Sequence, residues 1–116
     1  MFADPQSVTV NSVAQSMPRV STNGKQTVYQ KSDETFKLTI GHTPSGNRVR
    51  SLARLDQRAI VADPLTAEND YQTLSFYVVI DRPNYGFSMT QTEQLIAGFK
   101  TWLDNTAIDK LFGQES

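Results

Sequence analysis

Residues 47–56 read NRVRSLARLD, and the conformation of this stretch decides the fold. In a strand, successive side chains part to opposite faces. Arg48, Arg50 and Arg54 then share one face, and Val49, Ser51, Ala53 and Leu55 share the other. In a helix, Arg50, Arg54 and Arg58 would form one stripe, and Leu, Ala, Arg and Gln all favour helix. The flanking sequence favours the strand. FKLTIGHT, residues 36–43, alternates with a period of two, Phe36, Leu38 and Ile40 against Lys37, Thr39, Gly41 and Thr43. Thr43-Pro44-Ser45-Gly46-Asn47 reads as a loop between the two stretches, which together predict an antiparallel hairpin.

Toward the N-terminus, SVTVNSV (residues 7–13) predicts a short strand, and SMPRVST an edge strand interrupted by Pro18. Asn23-Gly24 predicts a turn into the strand TVYQKS, and Ser32 to Glu34 a second turn. Toward the C-terminus, ADPLTAEND (residues 62–70) is a polar loop. YQTLSFYVVID (residues 71–81) predicts a long strand with Leu74, Phe76, Val78 and Ile80 on one face. Tyr71, Thr73, Ser75, Tyr77 and Val79 lie on the other, and RPNYG ends the strand. Ser88 reads as an N-cap, with Gln91 three residues on as in a capping box. Leu95, Ile96, Phe99, Trp102 and Leu103 then form one stripe at helical spacing. Asn105 or Thr106 ends this helix and opens a second, AIDKLF, which contains Leu111 and is capped by Gly113. Strands followed by helices make the fold α+β with an antiparallel sheet. The organisation expected is a single domain, with a hairpin in residues 1–25, the main sheet in 26–82 and helices in 88–113.

A chain of 116 residues buries only a limited core, so packing against a second subunit would help it. No run of 18 apolar residues is present, and MFADPQSVTV lacks the basic and apolar regions of a secretory signal. The absence of cysteine excludes disulfides and thiolate chemistry. The net charge of −1 conceals an asymmetry: residues 36–58 carry five bases against Asp56, and residues 59–116 carry three bases against eight acids. A local basic surface on a near-neutral chain points to an anionic partner; the plainer alternative is a solvated strand face.

Catalytic chemistry finds little support. His42 is the only histidine, and its place on the Phe36/Leu38/Ile40 face predicts a half-buried structural residue. There is no G-x-S-x-G elbow and no Gly-rich phosphate loop. Asp63, Glu68 and Asp70 share a loop without the spacing of an EF-hand, and read as solvated acids before they read as a calcium site. No catalytic residue, cofactor or metal is expected. The polar sheet face says more. It gathers Lys37, Thr39 and Thr43, then Arg48, Arg50 and Arg54, then Tyr71, Thr73 and Tyr77. Cations neutralise phosphates, tyrosine offers a surface for an unpaired base, and threonine can bond base edges. That set suits RNA with exposed bases, with each arginine a phosphate contact.

The order, spacing and length of these elements resemble the coat proteins of the single-stranded RNA bacteriophages, the levivirus-type capsid proteins. The telling pieces are FKLTIGHTPSGNRVRSLARLDQ, FYVVI and the helical tail ending KLFGQES. The resemblance implies an interlocked homodimer with a continuous sheet, each subunit's helices lying across the partner's sheet through Leu95, Ile96, Phe99, Trp102, Leu103 and Leu111. It implies an icosahedral shell around single-stranded RNA, a virion location with assembly in the bacterial host cytoplasm, and no membrane partner. It further implies that the sheet binds an RNA stem-loop at the start of the replicase gene, as translational repressor and packaging signal. By position, Lys37 and Thr39 match RNA-facing residues of the first long strand, Arg50 and Arg54 basic residues of the next, and Tyr71 and Thr73 the stacking tyrosine and its polar neighbour. Gly41 and Leu52 depart from the polar residues some relatives carry there. ADPLTAEND falls where relatives meet around symmetry axes; without cysteine it cannot be cross-linked covalently. Two alternatives stand beside the coat protein: a dimeric α+β RNA-binding regulator that does not form shells, and a small enzyme or ligand-binding domain using an apolar cleft.

Overall fold

A computed structural model describes residues 2–66 and 68–115. The chain falls into two compact units, Met1–Arg82 and Pro83–Ser116. In the first, β1 (Gln6–Val10) and β2 (Val13–Met17) form a two-stranded sheet. Five further strands follow: β3 (Arg19–Asn23), β4 (Gln26–Gln30), β5 (Phe36–Ser45), β6 (Arg48–Ala62) and β7 (Asn69–Pro83). They make one antiparallel sheet in sequence order, with β3 and β7 at its borders. The second unit holds α1 (Met89–Trp102) and α2 (Asn105–Phe112).

Residues 48–56 of this stretch are extended and lie within β6, a strand of 15 residues, and Asn47 belongs to the turn before it. Its pairing with β5 is unbroken from Phe36↔Gln57 to Ser45↔Arg48. The expected loop at residues 43–47 shrinks to Gly46-Asn47, because Thr43, Pro44 and Ser45 all continue the strand. Gly46, at φ +58°, supplies the left-handed conformation that the first position of a two-residue turn of this type demands. The β3–β4 connection repeats the pattern. Asn23 pairs with Gln26, so the turn is Gly24-Lys25, with Gly24 at φ +59°, and not Asn23-Gly24.

Nearer the N-terminus the strand expected over 7–13 is two strands. Asn11 and Ser12 stand at φ 52° and 64° and turn the chain back on itself. Val13 betrays this in sequence, since it breaks the parity of Val8 and Val10. Pro18, with no N–H to give a ladder, marks the change of sheet; its carbonyl accepts from Gln30 N at 3.0 Å. Arg19–Asn23, placed with the hairpin by sequence, pairs with β4 in the larger sheet.

The core lies where the small sheet meets the large one. Met17 and Tyr29 are fully buried, Phe36 and Ile40 nearly so, and Val8, Val10, Leu38 and Leu55 pack against them. Buried Gln15 is satisfied by Lys31 Nζ, which donates to Oε1 at 2.7 Å. Arg19 ties the N-terminal segment down: its guanidinium donates to the Phe2 carbonyl at 2.8 Å, and its backbone N–H to Asp4 Oδ1 at 2.8 Å. This core covers only part of the apolar sheet face. Leu74, Phe76 and Val78 of β7 remain 72%, 57% and 46% exposed. His42 sits on that face as expected but is exposed rather than half-buried, since it lies toward the turn end of the hairpin; its Nδ1 is 2.9 Å from Ser51 Oγ.

In the second unit, Ser88 caps α1 through the full capping box with Gln91. α2 starts at Asn105, two residues before the expected AIDKLF, because Asp104, not Asn105 or Thr106, accepts from Ala107 N at 2.9 Å. Gly113 is its C-cap. Neither helix has a buried residue. Leu95, Phe99, Trp102 and Leu111 are exposed, Ile96 and Leu103 half-buried, and the Phe99 and Trp102 rings stand 5.5 Å apart. No helix among the described residues is long and apolar enough to cross a membrane.

Candidate nucleic-acid interface

The register of β5 and β6 places Thr39 opposite Arg54, Lys37 opposite Asp56, Thr43 opposite Arg50 and Ser45 opposite Arg48. Paired residues of antiparallel strands project to the same side. β7 lies next to β6, and its Ser75 and Tyr77 contact Arg54 while its Tyr71 contacts Arg58. All nine residues expected on the polar face therefore share it. They fall into two groups. Lys37, Thr39, Arg54 and Thr73 line a depression of about 480 Å³, with Tyr77 and Tyr71 beside it. Thr43, Arg48 and Arg50 lie at the hairpin tip; Lys37 and Thr43 are six residues apart, which is about 20 Å along a strand.

Both tyrosines are more than half exposed, and each stands beside a guanidinium. Arg54 lies 5.9 Å from the Tyr77 ring centre and Arg58 3.9 Å from that of Tyr71. Each guanidinium is attracted to the ring by its quadrupole. Thr39 is 7% exposed and forms the floor of the depression.

Most of the arginine row already has partners. Arg48 Nε donates to Asp81 Oδ1 at 2.9 Å and Arg58 Nη1 to Glu34 Oε2 at 3.4 Å. Arg54 Nε donates to Asp56 Oδ1 at 2.9 Å and its Nη2 to Ser75 Oγ at 3.3 Å; the Ser75 hydroxyl donates to the same Asp56 oxygen. Burial pushes the Asp56 carboxyl up, but the hydrogen bonds from Ser75 and Arg54, with the charges of Arg54 and Lys37, outweigh it and hold the group below its ordinary value. Among the described residues, Arg50 and Lys37 have no carboxylate within ion-pair distance.

Several residues of this face escaped the sequence reading. Asp56 and Arg58 continue the parity of Arg54 and were legible from it. Gln26, Gln30 and Glu34 join the depression from β4 and the turn after it, and Asp81 joins the tip from β7. Their places depend on register, which composition does not give. The loop expected over 62–70 is shorter, since Ala62 belongs to β6 and Asn69 and Asp70 to β7, and two of its acids are used locally: Asp63 Oδ1 accepts from Leu65 N and Asp70 Oδ1 from Tyr71 N. Among the described residues no three His, Asp or Glu side chains gather as metal ligands.

Two short strands, a five-stranded antiparallel sheet in sequence order and two C-terminal helices make up the described fold, and solved structures share it. Among solved structures, the chain is similar to the virus-like particle of bacteriophage AVE019, with a TM-score of 0.81 at 12% identity over 96% of this chain and 94% of that one. It is similar to the virus-like particle of Beihai levi-like virus 21, with a TM-score of 0.74 at 11% identity over 100% and 98%. It is also similar to the bacteriophage EMS014 coat protein, with a TM-score of 0.66 at 11% identity over 86% and 72%. No family model and no curated protein sequence matches it.

Proposed function

We propose that the chain is a structural coat protein. Two copies interlock into a dimer with one continuous sheet, and dimers close into an icosahedral shell around single-stranded RNA. The likeness to the bacteriophage AVE019 particle, spanning nearly all of both chains, carries this reading. Physical chemistry supports it. Leu74, Phe76 and Val78 on β7, and Leu95, Phe99 and Trp102 on α1, are exposed apolar side chains on both units of the chain. Exposed apolar side chains on a strand face and on a helix stripe mark surfaces for association. A second copy whose helices lie across this sheet would cover both at once. The role is structural, without catalysis.

The polar face takes the RNA. Tyr71 and Tyr77 stack unpaired bases, Thr39 and Thr73 bond base edges within the depression, and cations at the tip and rim meet phosphates. A stem-loop presents such bases together, so the face can serve as translational repressor and packaging selector. Expression followed by size-exclusion chromatography and electron microscopy tests the shell. Round particles in the void volume, with the absorbance ratio of nucleic acid, are expected. A soluble dimer that retains RNA yet yields no particles would favour the regulator instead. Sequencing the co-purified RNA tests selection: Thr39→Ala and Tyr71→Ala should change discrimination among hairpins by about 1–3 kcal/mol in filter binding.

A further inference from the structure

Among the described residues, the ion pairs of the polar face differ in kind. Arg48–Asp81 and Arg58–Glu34 join side chains that are all 43–64% exposed. Exposed pairs contribute little, and a phosphate can replace either carboxylate at small cost. Asp56 is different. Its side chain is 15% exposed, and one of its oxygens receives both Arg54 Nε and the Ser75 hydroxyl. Arg54 Nη2 reaches back to Ser75 Oγ, which closes a triangle of three side chains from two adjacent strands. Within it a built-in carboxylate occupies the place on Arg54 that an RNA phosphate would otherwise take.

We propose that Asp56 is a specificity-determining residue of this face: with Ser75 it captures Arg54 and withholds it from phosphate, leaving Arg50 and Lys37 as the phosphate contacts. The proposal rests on the RNA-binding reading of the face and revises the role that sequence position suggests for Arg54. Phosphate contacts are blind to sequence. A depression surrounded by free cations would hold any RNA. Here Arg54 spends its charge on Asp56 and stands beside Tyr77, so the pair offers a phosphate in the depression little net attraction. The depression then admits a ligand by the fit of its bases to Thr39, Thr73 and the tyrosines. Among the described residues, Arg50 at the tip and Lys37 by the depression have no carboxylate within ion-pair distance, and they are the cations placed to anchor the backbone.

The test is filter binding of the full-length chain, in soluble form, to poly(U) and to an unrelated RNA hairpin across a salt series. Arg50→Ala and Lys37→Ala should each lower the salt slope by about one unit, whereas Arg54→Ala should leave it at the wild-type value. Asp56→Asn, which frees Arg54, should bind poly(U) several-fold more tightly at low salt, with a slope steeper by about one unit. A fall in slope for Arg54→Ala equal to that for Arg50→Ala overturns the proposal, and this comparison does not depend on Asp56→Asn folding. A folded Asp56→Asn with unchanged poly(U) affinity also overturns it. If the wild-type chain shows no salt-dependent RNA binding at all, the RNA reading of the face fails and takes the proposal with it. Salt-dependent binding with Arg54 acting like Arg50 removes the proposal alone.

Discussion

At the scale of single residues, Tyr29 concentrates the most structure in one side chain. It is 1% exposed, lies in the core with Met17, Phe36 and Ile40, and its hydroxyl meets the Arg19 guanidinium at 3.3 Å. Tyr29→Ala should cost about 3–5 kcal/mol, read as a lowered denaturation midpoint at fixed chain concentration. Two carboxyls give a pH dependence of known sign. Asp33 is held low by hydrogen bonds from the Thr35 hydroxyl and backbone N–H, and Asp56 by Ser75 and Arg54 against its own burial. A folded-state value below the unfolded one means stability that is fully present above about pH 4 and is lost as pH falls through the folded value. Acid titration of the denaturation midpoint should show this loss below about pH 4, and Asp56→Asn should make it shallower. The polar face was legible at this scale because period-two parity assigns every residue of β5, β6 and β7 to a side. The long-range ion pairs were not. Glu34 and Asp81 come from distant points in the sequence, and only the pairing of strands brings them to Arg58 and Arg48.

At the scale of elements, turns set the register and helix caps set the boundaries. Gly46 and Gly24 each take a positive φ at the first position of a two-residue turn. Gly46→Ala forces an L side chain into that region and should destabilise the chain by about 1–2 kcal/mol, measurable by urea unfolding. Thr43-Pro44-Ser45 look like loop residues in sequence, yet they pair in full with Arg50, Val49 and Arg48, and only Gly46-Asn47 turns. Composition marked the region of the turn but not its length, because cross-strand pairing decides how far a polar segment stays extended. Asn11-Ser12 was missed for a related reason: it lacks the glycine that usually announces such a turn, and the parity break at Val13 was its only trace. The start of α1 was legible from Ser88 and Gln91 alone, since a capping box is a local hydrogen-bond exchange. Ser88→Ala should remove about 1 kcal/mol of helix stability, seen as reduced helical circular dichroism on heating.

At the scale of the whole molecule, the α+β order was legible because strands and helices differ in period. The covering of the apolar faces was not, because a hydrophobic pattern says that a surface is buried and not what buries it. If those faces meet between copies, a charge on either should act on assembly. Phe76→Asp and Trp102→Asp are each expected to abolish particles in electron micrographs, while Arg50→Ala leaves particles intact with less bound RNA. β7 adds a further consequence. It borders the five-stranded sheet, runs for 15 residues and carries no charge from Tyr71 to Ile80. Such a margin offers open hydrogen-bonding groups beside oily side chains, the template on which amyloid grows. For most chains, dilution during renaturation protects against clumping. If copies pair as proposed, a mate arriving quickly is the protection for this one, and recovery of native material after denaturation should rise with the amount of chain present.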